Sequence, residues 1–301
     1  ELKQRALLLR GLHHGLHIEF VGRAPVDEPS GRMSNAVNVF VLDRAEEEVG
    51  GLITLLLLDK VNDGQQPVGM SEEIMSTIAR KTRHVAGLPM QTGKAGGDPS
   101  PKTAYGICCG IRSAVKAEME GEYLHVVRVD IQGDGKVGYN IYRQLHSAGA
   151  TLLVSDLDDV RVNRVCSEFG AERVSSAEIL YADADVLAPC ALGAILHEES
   201  IPRIRARIIA GGANNQLRSP EDGQRLADAG ILSAPDYVIN AGGVISVTCE
   251  YLGEVDEAGV TDLVTQIGPR LAGIFEEAAR TGEPTNVIAD RLARKIMADA
   301  A

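Results

Sequence analysis

The stretch at residues 126–138 constrains the fold more than any other part of this sequence. An apolar-rich run from Val126 to Ile131 leads into a G-x-G-x-x-G loop at residues 133–138, and apolar residues then recur at helical spacing. A second apolar run, Thr151 to Ser155, follows and ends on Asp156. Strand, glycine loop, helix, strand and terminal acid, in that order, predict a βαβ unit of the kind that binds a dinucleotide.

The three glycines of this loop have separate physical tasks. Gly133 permits the tight turn, Gly135 lets the backbone approach a pyrophosphate, and Gly138 lets helix and strand pack closely. The N-terminus of the following helix adds free N–H groups and a partial positive charge for the phosphates. Asp156 stands where an acid accepts hydrogen bonds from a ribose diol and repels a 2′-phosphate, so NAD is favoured over NADP. A glycine-rich turn that binds nothing is the open alternative.

Three charged residues fit this pattern badly. Asp134 places a carboxylate inside the phosphate loop, where it should repel a pyrophosphate. Arg128 and Asp130 alternate with apolar residues in a strand that should be apolar throughout if both faces are covered. Buried charges are costly unless they pair, so we expect these two to pair with each other or with neighbours. We also expect a reduced affinity for the cofactor.

Composition limits the classes of function. The 301 residues are enough for two domains, and the excess of 42 acidic over 30 basic residues gives a net charge of −12, which argues against nucleic-acid binding. Five cysteines without metal-ligand spacing indicate reduced thiols and a cytoplasmic protein. The most apolar run, Leu52 to Leu58, is too short to span a bilayer, so no membrane partner is expected. His13, His14 and His17 lack a nearby acidic or cysteine partner, so no metal is expected.

Beyond Asp156 the predicted elements continue to alternate between helix and strand. Predicted strands at 185–188, 207–210 and 237–239 each run into a loop of small residues, and predicted helices at about 261–281 and 285–299 close the chain. In a doubly wound sheet such loops line the ligand crevice. We therefore predict an α/β fold with a Rossmann-type, doubly wound parallel sheet and a smaller, divergent N-terminal α/β domain.

The domain boundaries follow from the same pattern. Residues 1–104 are predicted to form the N-terminal substrate and oligomerisation domain, joined by the last helix at 284–301. Residues 105–283 are predicted to form the NAD-binding domain. Within the N-terminal part, apolar alternation predicts strands at 17–21 and about 37–42.

Several loops of the chain resemble those of the amino-acid dehydrogenase superfamily of glutamate, leucine, phenylalanine and valine dehydrogenases. The resemblance is closest to the leucine dehydrogenase branch and extends over roughly residues 71–301. The segments that carry it are long and ordered: Gly97 to Gly106, Gln132 to Gly138, Ala188 to Gly193, Ala210 to Leu217 and Ala234 to Gly243.

The resemblance implies NAD-linked oxidative deamination of an apolar L-amino acid to a 2-oxo acid, in a two-domain homo-oligomer. It places Ala191 by the adenosine, Asn214 and Asn240 by the nicotinamide, and Thr103 near the carboxamide. A turn-forming asparagine is the structural alternative for Asn240. The cofactor-binding residues expected in all are Thr103, Gly133, Asp134, Gly135, Lys136, Val137, Gly138, Asp156, Ala191, Asn214 and Asn240.

The N-terminal part departs from the family pattern in the residues that would carry the deamination. That chemistry needs a lysine of lowered pKa to activate water and an acid to shuttle protons. The family's Gly-Gly-Gly-Lys segment is missing; Lys60 is the nearest counterpart as a catalytic residue, with a surface lysine as the alternative. Pro67 stands where the family's catalytic acid precedes a Val-Gly-Thr-like turn.

Two alternatives therefore stand beside an active leucine dehydrogenase-like enzyme. One is a catalytically impaired NAD-binding paralogue with a structural or regulatory role, favoured by the missing lysine segment, the missing acid and the intrusive Asp134. The other is a related NAD enzyme with different chemistry, whose catalytic groups come from the rewritten N-terminal part.

Overall fold

The computed structural model describes residues 16–21, 39–44, 76, 79–80, 86–92, 94–119, 121, 124–253 and 255–300. The chain divides into two compact units, the first made of residues 1–98, 247–257 and 290–301, and the second of residues 99–246 and 258–289. The domain roles and boundaries expected from the sequence stay a prediction.

The described helices and strands follow one another in the α/β order expected from the sequence. In chain order they are β1 (Leu16–Val21), β2 (Val39–Arg44), α1 (Ser100–Glu118), β3 (Arg128–Gln132), α2 (Lys136–Ser147), β4 (Thr151–Ser155), α3 (Asp159–Phe169), β5 (Glu172–Arg173), β6 (Val186–Pro189), β7 (Ile208–Ile209), α4 (Glu221–Asp228), β8 (Leu232–Ser233), α5 (Asp236–Ile239), α6 (Gly242–Leu252), α7 (Glu257–Thr265), α8 (Ile267–Thr281) and α9 (Thr285–Ala300).

The described part of the first unit contains an antiparallel strand pair and an anchored loop. Strands β1 and β2 pair in a register that runs from Leu16 opposite Arg44 to Val21 opposite Val39. Both strands were expected from the alternation of apolar residues, and the second lies two residues further along the chain than predicted. The Glu250 carboxylate accepts hydrogen bonds from the backbone N–H groups of residues 87 and 88, which fixes this loop.

The second unit is built on a six-stranded sheet in the order β5-β4-β3-β6-β7-β8, in which every pairing is parallel. Successive strands move outward in one direction from β3 and in the other from β6. Since parallel crossovers are right-handed, the connections of the two halves cover opposite faces. The predicted doubly wound, Rossmann-type sheet is confirmed, and the strand order reverses between β3 and β6, where such folds bind ligands.

Apolar residues of the central strands form the core of this sheet. Val129 and Ile131 of β3 are fully buried, and the buried Tyr142 of α2 donates its hydroxyl proton to the carbonyl of Ile131 at 2.9 Å. A second core cluster lies under the β6 to β8 half, with members Leu187, Leu196, Ile201, Ala206, Ile209, Leu226 and Ile231. Burial of these apolar side chains stabilises the parallel sheet.

The charged residues of β3 are accommodated unevenly. Arg128 reaches past β4 to the edge strand β5, where it pairs with Glu172 at 2.8 Å. Asp130 is only 1% exposed, and one of its carboxylate oxygens, Oδ1, has no hydrogen-bond partner. The expectation that both charges pair therefore holds for Arg128, although its buried Nε has no hydrogen-bond partner, whereas Asp130 is left incompletely satisfied.

Two predicted elements are wrong. Residues 237–239 were expected to form a strand, but Asp236–Ile239 is the short helix α5, and the last strand of the sheet is Leu232–Ser233. The helix expected at about 261–281 is two helices, α7 and α8, which meet at Gln266. The break has a local cause, because Pro269 lacks an N–H for the carbonyl of Thr265 and its ring crowds that carbonyl.

Candidate dinucleotide-binding site

The glycine loop joins β3 to α2 in the geometry that its spacing predicts. Gly133 has a φ of 99°, which favours glycine, and its N–H donates to the carbonyl of Ser155 at 2.8 Å. A Cβ on Gly138 would overlap the carbonyl oxygen of Gly133, so loop and helix approach more closely than any side chain allows. A Cβ on Gly135, by contrast, would meet nothing within 4 Å. The loop thus leaves open space beside Gly135, where a pyrophosphate would approach.

The N-terminus of α2 faces this loop without a side-chain cap. Gly135 is the N-cap residue and makes no side-chain hydrogen bond, because it has no side chain. The first N–H groups of a helix lack intrahelical partners and carry a partial positive charge, which suits a phosphate. Lys136, the first residue of α2, is exposed and adds a cation at the same end. The residues present fit a dinucleotide pyrophosphate.

Asp156 lies at the carboxyl end of β4, next to the glycine loop. Its Oδ2 accepts a hydrogen bond from the backbone N–H of Asp134 at 2.6 Å, and its Oδ1 accepts one from the backbone N–H of Asp158 at 2.9 Å. These two backbone donors fix the orientation of the carboxylate beside the loop. Each carboxylate oxygen accepts more than one hydrogen bond, so both retain capacity for the hydroxyls of a ribose.

The Asp134 carboxyl is buried beside the glycine loop. It is 5% exposed, and its Oδ1 has no hydrogen-bond partner. Burial raises the pKa of Asp134 to about 7, and the negative charge of Asp156 adds to the increase. Glu168 raises the pKa further, while Arg161 and Arg164 oppose these effects. Asp134 is therefore partly protonated at neutral pH, and the repulsion expected from the sequence is reduced when the proton is bound.

Replacement of Asp134 by asparagine should tighten NADH binding at alkaline pH. In the native protein the carboxyl ionises as pH rises through about 7, which places a negative charge beside the pyrophosphate. The amide of the variant stays neutral, so we expect D134N to bind NADH about three- to tenfold more tightly at pH 8 and about equally at pH 6. Fluorescence titration of NADH at the two pH values measures this.

The matched control is Asp159→Asn. Asp159 also lies near the site in sequence, but its side chain is 79% exposed and pairs with Arg173 on the surface. Loss of an exposed charge should change NADH affinity less than about twofold at either pH. Equal effects of the two substitutions, or a pH-independent effect of D134N, would contradict the prediction that ionisation of Asp134 weakens NADH binding.

The loop after β6 packs directly on the glycine loop. A Cβ on Gly133 would lie 2.9 Å from the Cβ of Ala191 and 3.0 Å from the backbone of Cys190. The Cys190 N–H donates to the carbonyl of Gln132 at 2.7 Å, which continues the pairing of β3 with β6 beyond the strand ends. Ala191 is exposed, at the point where the strand order reverses. This places the residue assigned to the adenosine against the residue assigned to the pyrophosphate.

The residues assigned to the nicotinamide lie together on the β7 side. The Asn240 Nδ2 donates to the Asn214 Oδ1 at 2.8 Å and to the carbonyl of Gly212 at 3.2 Å. Thr103 lies near the chain segment that follows Asn240, since a Cβ on Gly243 would overlap the Thr103 hydroxyl. The structure therefore brings the three residues to neighbouring positions, and their roles toward a cofactor stay a prediction.

Two residues that hold this part of the crevice were not singled out from the sequence. Gln216 is buried, and its amide Nε2 donates to the carbonyls of Gly211 at 2.8 Å and Ala213 at 3.1 Å. Asp236 accepts hydrogen bonds from the backbone N–H groups of Asn215 and Gln216. Both residues lie inside the segments that carry the family resemblance, Ala210 to Leu217 and Ala234 to Gly243. A polar residue among small ones is the sequence pattern that could have indicated their role.

The remaining assignments fall in the N-terminal part. Lys60, Pro67, His13 and His14 lie outside the described residues, as does the apolar run at 52–58. Among the residues that the structure describes, no group of three or more His, Cys, Asp or Glu side chains could hold a metal ion. No helix in that same portion of the chain is long and apolar enough to cross a membrane.

Comparison with known proteins identifies the family. A model of the glutamate/leucine/phenylalanine/valine dehydrogenases matches residues 154–283. The solved structure of L-tryptophan dehydrogenase from Nostoc punctiforme aligns with 78% of this chain and 67% of its own chain, with 40% identity and a TM-score of 0.68. This chain belongs to the glutamate/leucine/phenylalanine/valine dehydrogenase family. The resemblance derived from the motifs is thereby confirmed.

Similar family members differ in substrate. Leucine dehydrogenase from Thermoactinomyces intermedius is 41% identical over 230 residues, which are 76% of this chain and 62% of the relative. L-tryptophan dehydrogenase from Nostoc punctiforme is 43% identical over 229 residues, which are 76% of this chain and 64% of that relative. The chain thus spans less than two thirds of the length of these relatives. The hetero-hexameric glutamate dehydrogenase from Thermus thermophilus, with 20% identity and a TM-score of 0.60, supports the fold alone.

Proposed function

We propose that this protein is an NAD-dependent amino-acid dehydrogenase that oxidatively deaminates an apolar L-amino acid to the 2-oxo acid. The observation that carries the proposal is that the glycine loop, Asp156 and Asn214 follow the carboxyl ends of strands β3, β4 and β7 of one parallel sheet, and that Asn240 is hydrogen-bonded to Asn214. Relatives named leucine, L-tryptophan and valine dehydrogenase support an apolar or aromatic substrate.

In this proposal different residues of the crevice bind different parts of the cofactor. The glycine loop and the N-terminus of α2 hold the pyrophosphate, and Asp156 accepts hydrogen bonds from the ribose diol. Ala191 lies against the adenosine, while Asn214, Asn240 and Thr103 orient the nicotinamide and its carboxamide. When bound, NAD supplies the carbon that accepts a hydride from the substrate Cα. By fixing the orientation of the ring, these three residues would align it with the substrate Cα.

Lys60 is our candidate for the residue that activates water for the deamination. The proposal depends on its place in the segment 56–61, which is the nearest counterpart of the family's lysine segment. A neutral lysine can accept a proton from water, which requires a pKa lowered from the usual value of a surface lysine. A surface lysine with no catalytic part is the alternative for this residue.

A homo-oligomer in the cytoplasm is part of the same proposal. The family resemblance of the motifs supports association. The five cysteines are free thiols, which fits a reducing compartment.

A catalytically impaired NAD-binding paralogue is the second candidate. It is favoured by Pro67 in place of the family's acid and by the missing lysine segment. This candidate binds the cofactor in the same crevice but does not turn over a substrate. Measuring binding and turnover on one protein preparation therefore distinguishes the two candidates.

The test measures NADH formation from NAD with a panel of apolar and aromatic L-amino acids at alkaline pH, alongside an NADH binding titration. Turnover on any member of the panel is the expected result. Lys60→Ala should reduce that turnover by more than about a hundredfold, a typical contribution of a general acid–base group, and leave NADH binding unchanged. Binding without turnover favours the paralogue, and a folded protein that does neither contradicts both candidates.

A further inference from the structure

The short helix α5 carries polar groups at both of its ends. Its first residue is Asp236, and Asn240 follows its last residue. The Asp236 carboxylate accepts hydrogen bonds from the backbone N–H groups of Asn215 and Gln216. At the other end, the Asn240 amide donates to the Asn214 side chain. One helical turn therefore contacts the loop after β7 at two places.

That loop has a backbone conformation that few residues other than glycine adopt. Asn215 has a φ of 54°, in the left-handed region, which asparagine adopts more readily than most residues with a side chain. Its carbonyl accepts a hydrogen bond from the N–H of Ala194 at 2.7 Å, so its position also sets that of the loop that carries Ala191. The conformation of Asn215 is therefore linked to both halves of the candidate site.

Hydrogen bonds other than those to Asp236 also hold the loop after β7 in place. Gln216 braces it from within through the carbonyls of Gly211 and Ala213. The Ala213 N–H donates to the carbonyl of Pro189 at 2.8 Å, which ties the loop to the end of β6. Without the Asp236 carboxylate, the loop should stay attached but lose the fixed direction of the peptide at Asn215 and, with it, of the Asn214 side chain.

We propose that Asp236 is a positioning residue for the nicotinamide half of the site. Its carboxylate fixes the Asn215–Gln216 backbone, and this holds the Asn214 amide against Asn240. Asp236 does not touch the cofactor itself. The inference rests on the proposed function, because it assumes that Asn214 and Asn240 lie by a nicotinamide.

Affinities for NADH and for ADP-ribose test this inference without any turnover. ADP-ribose lacks the nicotinamide, so the ratio of the two dissociation constants reports on the nicotinamide half alone. We expect the native protein to prefer NADH. In Asp236→Ala the preference should fall by about two- to tenfold, the loss expected for one or two hydrogen bonds, while ADP-ribose affinity changes little.

Two further variants separate positioning from a general loss of structure. Asp236→Asn keeps a side-chain oxygen that can accept from the same N–H groups, so it should retain most of the preference. Asp222→Ala removes a carboxylate from the first turn of another helix, α4. The Asp222 carboxylate accepts hydrogen bonds from Ser219 and Arg225. This substitution should lower stability and leave the NADH preference intact. If Asp236→Ala does not fold, Asp236→Ser, whose side chain is too short to reach Asn215 in the same way, replaces it.

The outcomes distinguish this inference from the proposed function. A native protein that prefers NADH, together with an Asp236→Ala variant that keeps the full preference, overturns the inference and leaves the proposed function standing. If the native protein binds ADP-ribose and NADH equally, the nicotinamide contributes no binding affinity, and the inference is overturned. A folded native protein that binds neither molecule overturns the proposed function and the inference together.

Discussion

NADH affinity is expected to fall about ten- to a hundredfold in Gly135→Ala, with little change in the free energy of unfolding. A Cβ at this position meets no protein atom within 4 Å, and the φ of −73° and ψ of −170° are allowed for alanine. The new methyl group would occupy the space that we assign to the pyrophosphate. One charge-assisted hydrogen bond to phosphate would be lost, and its contribution of about 1.5–3 kcal/mol corresponds to this loss of affinity.

The measurement is a pair of titrations, one with NADH and one with urea. Alanine is a poorer N-cap residue than glycine, but it also restricts the unfolded chain, so we expect the free energy of unfolding to change by less than about 1 kcal/mol. An NADH affinity equal to that of the native protein would contradict the placement of the pyrophosphate at Gly135.

Two other glycines supply the controls. Gly273 lies in α8, where a Cβ also meets nothing, so Gly273→Ala should stabilise by about 0.5–1 kcal/mol and leave NADH binding unchanged. A Cβ on Gly138 would overlap the Gly133 carbonyl, so Gly138→Ala should lower both stability and affinity. The three glycines thus differ in whether their Cβ would meet backbone, solvent or ligand.

The part of the site that is determined by residues close together in the sequence could be predicted from the sequence. The turn at Gly133, the start of α2 and the acid after β4 follow from spacing, because each is set by a few consecutive residues and by the strand pairing that they imply. The strand order could also be expected, since alternating elements with right-handed crossovers leave few topologies.

Features that depend on distant contacts could not be predicted in the same way. Helix α5 is a single turn, too short to show helical periodicity, and its residues Tyr237 and Ile239 alternate as a strand would. The acceptor role of Asp236 depends on a loop about twenty residues earlier in the chain. Buried carboxylates are usually paired or hydrogen-bonded, whereas Asp130 and Asp134 each have a buried oxygen without a partner, which depends on contacts that the sequence does not show.

The incomplete pairing of Asp130 leads to the second large prediction, a gain in stability for Asp130→Val. The carboxyl is 1% exposed in the central strand, and its Oδ1 has no hydrogen-bond partner. Arg128 is engaged by Glu172 at 2.8 Å. Valine is apolar, similar in size to the aspartate side chain and suited to a strand, so we expect a gain of about 1–4 kcal/mol near pH 8.

The gain should depend on pH in a defined direction. Burial raises the pKa of Asp130 to about 8 from an ordinary value of 3.8, and Arg128 opposes the shift only in part. Between these two values the unfolded chain has released the proton that the folded protein still holds, so native stability falls as pH rises. Valine carries no proton, and the advantage of D130V should therefore increase from about pH 4 to about pH 8 and level off above it.

The control uses a carboxylate that is equally buried but fully satisfied. Asp222 is 2% exposed and accepts hydrogen bonds from the backbone and hydroxyl of Ser219 and from Arg225. Asp222→Val should therefore destabilise by about 1–3 kcal/mol, because it leaves these donors without their acceptor. Urea unfolding at pH 5.5 and pH 8 measures both variants. Opposite signs for the two substitutions would show that hydrogen bonding, and not burial as such, decides whether a buried carboxylate stabilises this unit of the protein. A loss of stability in D130V at pH 8 would mean that Asp130 has a partner or function that justifies its place in the central strand.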